Sequence, residues 1–523
     1  MKRWSPIWGA GLLVLLTAFA YAVFDGEGSL PSSILSYGLT ALSCGLLGLF
    51  LVYRNRADEH PGWLIPALIG SLTLRLLVGV LLYRGLPVLG YDTQVQNAGY
   101  VFADAFARDF DAWELVASGR TLTEILLQRG GNDQYGGLLT LTGIIYKLLS
   151  PRVHRPLLIV QLSALFSTIA VYYAWKFART VFNARTAAIT FGVMALYPDA
   201  VLLGASQMRE PFIMAGMALA FYGYARLRKE LGGAALSMFV AGLVLEVVFS
   251  PPMAFLSMMV LAGAWLVESR NGIKLPLWVW IVGIGGLVAM LVLTTRAWSS
   301  ISGSPDANPL QMVWWWLTEG ARYQILILEQ KSGMVQALFS YTPEWAHAML
   351  ATGYGLVQPF FPAAVMDTTS PPIWRVISIW RAGGWILLLP FLFYAPLAAW
   401  RGKGWRDLAG YLALAGWLLA AFVSYRAAGD QWDNPRYRTS FLLIYAVVTG
   451  WAWTWARTTG SRWLRHTMAV VAGVTVLFLQ WYAGRYLHLP SLDLFPTLAL
   501  VVVFVPGYLA IAWMLERRRK VRG

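Results

Sequence analysis

Residues 63–82, WLIPALIGSLTLRLLVGVLL, form an apolar run whose only charged residue is Arg75. A helix of about twenty such residues crosses the hydrocarbon layer of a membrane. The whole chain shares this character, since 58% of its 523 residues are hydrophobic and only 13% are charged. A surface that faces water needs far more polar residues, so the sequence predicts an all-α integral membrane protein.

Other apolar runs of similar length bring the total to about fourteen predicted transmembrane helices. The predicted spans are residues 7–24, 33–53, 63–82, 157–177, 186–204, 211–228, 233–250, 252–268, 276–296, 376–400, 406–425, 437–456, 466–485 and 494–515. We divide the chain into an N-terminal transmembrane hairpin (1–62), a transmembrane bundle (63–515) and a basic tail (516–523). The sequence shows no repeat of fixed period and no charged linker that would mark a second domain.

Basic residues predict the orientation of these spans. If Lys2 and Arg3 lie in the cytoplasm and the chain changes side at each span, every basic cluster falls on the cytoplasmic side. The clusters are Arg54 and Arg56; Lys176, Arg179 and Arg185; Arg226, Arg228 and Lys229; Arg270 and Lys274; Arg401, Lys403 and Arg406; Arg457, Arg462 and Arg465; and Arg517, Arg518, Arg519, Lys520 and Arg522. We therefore expect a multi-pass protein of the plasma (inner) membrane with both termini cytoplasmic. The net charge of +15 is then explained without a nucleic-acid partner.

Two long segments, 83–156 and 297–375, are predicted to lie on the outer face. Within them, residues 135–149 and 346–366 are too short or too interrupted to span securely, so we expect interfacial or re-entrant helices there. The first predicted span also resembles a signal peptide, which would leave the topology after it unchanged.

Asp92 follows the third predicted span, in LGYDTQVQNAGY (89–100). One interpretation is a general base that accepts a hydroxyl proton where the chain leaves the membrane. The alternative is a helix N-cap, because Asp can bond the free amides of a first helical turn. Both roles are compatible with the sequence.

Arg209 and Glu210, in GASQMREPF (204–212), precede the sixth predicted span. An arginine at the outer face can hold a phosphate in bidentate fashion, with Glu210 orienting it and Asp199 nearby in sequence. The alternative is a salt bridge or a topological anchor.

The segment GDQWDNPRYRTSF (429–441) leads into the twelfth predicted span. Arg436 and Arg438 are candidates for gripping a lipid-linked phosphate, with Asp433 and Tyr437 in support. The alternative is that both arginines are snorkelling anchors, whose charged ends reach water from a helix end.

Other charged residues have structural interpretations. Asp109-Phe110-Asp111 matches a short metal-binding pattern of soluble glycosyltransferases, but three residues specify little, so we treat it as a chance match. Arg75 and Glu246 lie inside predicted spans, where we expect them to pair with other helices.

In its order and sidedness the chain resembles the GT-C superfamily of polytopic glycosyltransferases, in particular bacterial relatives of protein mannosyltransferases and of lipid A aminoarabinose transferases. The resemblance begins near residue 63. The segments that carry it are LGYDTQ (89–94), YKLLSP (146–151), WKFARTVFNARTAAI (175–189), LYPDAVLLGASQMREPF (196–212) and NPRYR (434–438). Residues 1–60 precede the part that matches this plan.

The resemblance implies a donor sugar on a polyprenyl phosphate, a lipid, glycan or protein acceptor, and transfer that inverts the anomeric carbon. It implies Asp92 as the base and Arg209, Arg436 and Arg438 as phosphate contacts. The resemblance specifies no cofactor with certainty and leaves a divalent metal open, since the family often has a pair of acidic residues where Asp92 here stands between Tyr91 and Thr93. Two alternatives stay open: a transporter or lipid flippase, and a non-catalytic membrane scaffold.

Overall fold

The structure is a computed structural model that describes residues 5–54, 60–127, 135–269, parts of 281–295, 309–331, 333–360, 370–402, 407–427 and 433–522. Within these ranges all regular structure is helical, which confirms the predicted fold class. Several of the predicted basic and acidic residues lie outside the described part: Lys2, Arg3, Arg56, Arg270, Lys274, Lys403, Arg406 and Asp430, together with the side chains of Asp433, Arg519, Lys520 and Arg522.

The described helices follow one another along the chain as α1 to α22. The first part of the chain contains α1 (Ser5–Asp25), α2 (Leu30–Arg54), α3 (Leu64–Leu89), α4 (Gln94–Asn97), α5 (Ala103–Ala117), α6 (Leu122–Leu127), α7 (Gly137–Leu149), α8 (Leu157–Val181), α9 (Ala184–Leu196), α10 (Pro198–Gly204), α11 (Glu210–Leu227), α12 (Gly233–Phe249) and α13 (Pro251–Ser269). The second part contains α14 (Pro309–Lys331), α15 (Gly333–Ser340), α16 (Glu344–Val357), α17 (Pro372–Arg401), α18 (Leu408–Ala427), α19 (Asp433–Thr439), α20 (Leu442–Thr458), α21 (Trp463–Leu487) and α22 (Leu494–Arg522).

Eight helices in the described residues are long and apolar enough to cross a membrane, or nine if the bent pair α9 and α10 forms one span. They are α2, α3, α8, α13, α17, α18, α21 and α22, and each overlaps a predicted span. The chain is therefore a multi-pass membrane protein. The expected total of about fourteen is not reached in the part that the structure describes, and the predicted span 276–296 lies largely outside it.

The chain folds as two compact units. The first comprises Met1–Asn183, Phe191–Ala262 and Lys274–Val313, and the second comprises Ala184–Thr190, Gly263–Ile273 and Trp314–Gly523. In the first unit α8 is central, because α2, α3, α7, α10 and α11 all pack against it. The helices α11 and α12 approach closely through glycine, since a Cβ at Gly216 would lie 2.7 Å from the Gly242 carbonyl oxygen.

The predicted continuous span 186–204 is wrong in one respect, because the structure divides it into α9 and α10 with a 56° bend. Pro198 begins α10, and Tyr197 before it has extended backbone (φ −60°, ψ 125°). Proline disfavours helical geometry in the residue that precedes it, which explains the break. The sequence pattern of apolar residues continues through this point and therefore did not reveal it.

Arg75, a fully buried residue of α3, stabilises this break. Its guanidinium donates to the carbonyl oxygens of Met194 and Ala195, each at 3.1 Å, at the end of α9. It also donates to the Ser167 hydroxyl at 2.7 Å. The last carbonyls of a helix have no partner within the helix, so Arg75 satisfies them. The structural interpretation of Arg75 is confirmed.

Glu246 likewise pairs within the helix bundle. Its Oε2 accepts a hydrogen bond from the Ser257 hydroxyl of α13, and its side chain is fully buried. This agrees with the expectation that Glu246 bonds to another helix.

Candidate functional site

Asp92 lies in an exposed turn directly after α3. The helix ends at Leu89, and the Gly90 N–H bonds to the Leu86 carbonyl at 2.8 Å. The Asn97 side-chain amide donates to Asp92 Oδ1 at 2.9 Å. This contact orients the carboxylate while leaving its side chain exposed, at the point where a helix of span length ends.

Asp92 is not the N-cap of the helical turn that follows it. Thr93 takes that position, and its hydroxyl accepts a hydrogen bond from the Gln96 N–H at 3.3 Å. The capping interpretation of Asp92 is therefore wrong. Asp and Thr are both good caps, and the place where α3 ends decided which of the two neighbours starts α4.

A second carboxylate, Asp109 of α5, is buried at the centre of a polar cluster. Tyr100 donates its hydroxyl to Asp109 Oδ2 at 2.5 Å, and Tyr146 of α7 donates to Oδ1 at 2.7 Å. His154 Nε2 lies 2.7 Å from Oδ2. Three hydrogen-bonding neighbours offset the cost of burying this charge.

The sequence contains one indication that Asp109 is buried and has partners. On α5 it shares a buried face with Ala105, Ala112 and Val116, at the spacing of an amphipathic helix. Apart from Asp109 and the neighbouring Arg108, the buried residues of this helix are apolar, and an acidic residue in such a face indicates a buried partner. The match of Asp109 and Asp111 to a metal-binding pattern does not describe this cluster, because Asp109 faces two phenols and an imidazole.

Burial and the charge of Asp109 raise the pKa of Tyr100 well above its usual value. The same causes act on Tyr146, whose pKa is also raised, first of all by burial. Both hydroxyls therefore stay protonated at any physiological pH and remain donors to the carboxylate.

A buried ion pair lies close to this cluster in sequence. The Arg155 guanidinium bonds to Asp25 at the end of α1, and both side chains are almost wholly inaccessible. Arg155 also donates to the Ser33 hydroxyl at 2.6 Å and to the Ser150 hydroxyl at 3.1 Å. It thereby ties α1 and α2 to the segment that precedes α8.

Arg209 is half-buried and stands at the N-cap position of α11. Its guanidinium lies 4.9 Å from the centroid of the Tyr135 ring. Glu210 lies in the first turn of α11 and Asp199 in the first turn of α10, and both are buried. Arg209 therefore belongs to the same unit as Asp92, and the positive end of the α11 dipole lies beside it.

In the second unit, Arg438 caps a helix. Its guanidinium donates to the carbonyl oxygens of Leu356, at 3.3 Å, and Gln358, at the end of α16. It also lies 3.5 Å from the centroid of the Trp385 ring. With 1% of its surface exposed, Arg438 does not reach water as a snorkelling anchor would. The sequence suggested that Arg438 binds a phosphate, whereas in the structure its guanidinium bonds to backbone carbonyl oxygens.

Arg436 is also buried, and it donates to the Tyr437 hydroxyl at 2.9 Å. Asn434 of the same short helix, α19, donates to the Gly355 carbonyl at 3.1 Å. Asp433 is the first residue of α19. The structure thus brings Arg436 and Tyr437 together and gives Arg438 separate partners.

Among the described residues, no group of three or more His, Cys, Asp or Glu side chains has an arrangement that would hold a metal ion.

No protein-family model matches the chain, and no curated protein matches it significantly. Among solved structures, it is similar to the apo oligosaccharyltransferase of Archaeoglobus fulgidus, with a TM-score of 0.37 and 14% identity over 85% of this chain and 54% of that one. It is also similar to the same organism's oligosaccharyltransferase AglB in complex with an inhibitory peptide and a dolichol-phosphate, with a TM-score of 0.37 and 14% identity over 88% of this chain and 56% of that one. The chain thus spans about half the length of these proteins.

Proposed function

We propose that this protein is a membrane glycosyltransferase that moves a sugar from a polyprenyl phosphate to an acceptor hydroxyl at the outer face of the plasma (inner) membrane. The observation that carries the proposal is the exposed carboxylate of Asp92, oriented by Asn97 at the end of a span-length apolar helix. A base at that border can meet both an acceptor in water and a donor held by its lipid tail.

In this proposal Asp92 takes the proton from the acceptor hydroxyl as the oxygen attacks the anomeric carbon. The bond between that carbon and the phosphate oxygen breaks, and the polyprenyl phosphate leaves with the bonding electrons. A direct displacement inverts the anomeric configuration. Lipid, glycan and protein hydroxyls are all acceptors of suitable chemistry.

Arg209 is our first candidate for the residue that stabilises the negative charge developing on the departing phosphate. It shares a unit with Asp92, stacks on Tyr135 and stands beside the positive end of α11. A guanidinium fixed in this way is suited to a phosphate. In this proposal Glu210, its neighbour in the first turn of α11, and Asp199, in the first turn of α10, are supporting residues. Arg436, with Tyr437, is the candidate in the second unit. We assign Arg438 to helix capping.

A deletion strain tests this proposal. We expect one sugar substituent to disappear from the surface glycans or lipids and its polyprenyl-phosphate donor to accumulate, because transfer is the step that consumes the donor. Mass spectrometry of both fractions measures this. Wild-type protein should restore the substituent, and Arg209→Ala should restore it poorly, since losing one phosphate or oxyanion contact costs about 10²–10³-fold in rate. Unchanged glycans, lipids and donor pools would contradict the proposal.

The 56° break between α9 and α10 favours a second candidate, a transporter or lipid flippase. Helices broken inside the membrane build substrate sites in many transporters. A fluorescent polyprenyl-phosphate analogue in proteoliposomes distinguishes the two. A flippase moves the analogue between leaflets regardless of the residue at position 92, whereas a transferase does not move it.

A further inference from the structure

The turn that carries Asp92 is anchored at its far end by Tyr100. Tyr100 is 2% exposed, and its backbone N–H bonds to the Val95 carbonyl at 3.1 Å. Gly99 before it has φ +82°, a conformation that favours glycine. A Cβ at Gly99 would lie 2.6 Å from the Tyr83 carbonyl oxygen, so the turn packs directly on α3.

The near end of the turn is closed by its own hydrogen bonds. The Tyr91 N–H donates to Gln96 Oε1 at 2.6 Å, and Asn97 donates to Asp92 at 2.9 Å. These contacts fix Asp92 relative to the other residues of the turn. The position of the turn then depends on α3, on which Gly99 packs, and on what holds Tyr100.

Tyr100 is held by the buried carboxylate of Asp109, through a 2.5 Å hydrogen bond. Asp109 is itself fixed from two other directions, by Tyr146 and by His154, each at 2.7 Å. The His154 ring stacks on Trp113, with centroids 5.3 Å apart and planes at 21°. A buried carboxylate with several satisfied hydrogen bonds is costly to displace.

We propose that Asp109 is a positioning residue of the transfer reaction, and that it holds Asp92 in place through Tyr100. This inference rests on the proposed function, in which Asp92 is the base. A catalytic group must be held within about 0.5 Å of its productive position. A buried anchor outside the reacting atoms supplies that constraint without touching the substrate.

Tyr100→Phe and Tyr146→Phe form a matched pair that tests this inference. Each substitution removes one tyrosine hydroxyl that donates a hydrogen bond to the Asp109 carboxylate, and both rings are buried. Only Tyr100 continues directly into the Asp92 turn. We expect Tyr100→Phe to lower kcat by about 10–10²-fold, because a misplacement near 1 Å has an effect of that order. The donor KM should stay unchanged. Tyr146→Phe should keep kcat within a factor of about two, since Tyr100 and His154 still hold Asp109 in that variant.

Hydrogen–deuterium exchange of residues 91–99 gives a readout that does not depend on activity. Exchange should rise in Tyr100→Phe and stay at the wild-type level in Tyr146→Phe. If Tyr100→Phe yields no folded protein, Asp109→Asn takes its place with the same expectations. Equal kcat and equal exchange in both members of the pair would overturn the inference.

The Asp92→Asn variant separates this inference from the function on which it rests. If that variant is inactive and Tyr100→Phe is normal, only the positioning role is wrong. If Asp92→Asn is fully active, the base itself is wrongly assigned.

Discussion

Asp92→Asn is expected to lower the rate of sugar transfer by about 10²–10⁴-fold, the usual contribution of a general base. The amide has nearly the same size as the carboxylate, so the turn should keep its shape and the donor should still bind. The measurement is single-turnover transfer from the polyprenyl-phosphate sugar that accumulates in the deletion strain, with binding of that lipid followed in parallel.

Glu114→Gln is the control for this experiment, because Glu114 is an exposed carboxylate on α5, in the same segment between α3 and α8. We expect it to transfer sugar at the wild-type rate. A folded Asp92→Asn protein with wild-type transfer would remove Asp92 as the base.

Arg155→Met is expected to reduce the stability of the first unit by about 3–5 kcal/mol, the usual cost of removing one partner of a buried ion pair. Asp25 would be left buried without its cation, and the Ser33 and Ser150 hydroxyls would lose the donor that they share. Thermal unfolding of the purified protein in detergent, followed by fluorescence-detected gel filtration, measures the change.

Arg152→Met is the matched control, because Arg152 is an exposed arginine three positions earlier in the same segment. Its unfolding temperature should stay near that of the wild type, since an exposed cation contributes little to stability. Equal unfolding temperatures for the two variants would show that the ion pair does not hold α1 and α2 in place.

Membrane helices were predictable from the sequence because the thickness of the bilayer fixes their length. All eight span-length helices overlap a predicted span, and α7 (Gly137–Leu149) lies within the short helix expected at 135–149. Arg75 was also interpreted correctly, since a charge inside a span needs partners within the bundle.

Contacts between distant parts of the chain were not predictable in this way. Arg155 and Asp25 are 130 positions apart, and Arg438 reaches a carbonyl 80 positions before it. Nothing in the neighbouring residues indicates such pairs. The three-residue motif around Asp109 was uninformative, whereas its role follows from the two tyrosines and the histidine that surround it in the fold.

The proposed function depends most on the claim that Asp92 faces the outer side of the membrane. Cys44 is the only cysteine, so Asp92→Cys in a Cys44→Ser background gives a single labelling site. A membrane-impermeant maleimide added to intact spheroplasts should label this cysteine from outside. Lys229→Cys, placed between α11 and α12, should react only after the membrane is opened. Labelling of position 92 only from the cytoplasmic side would contradict a sugar transfer at the outer face.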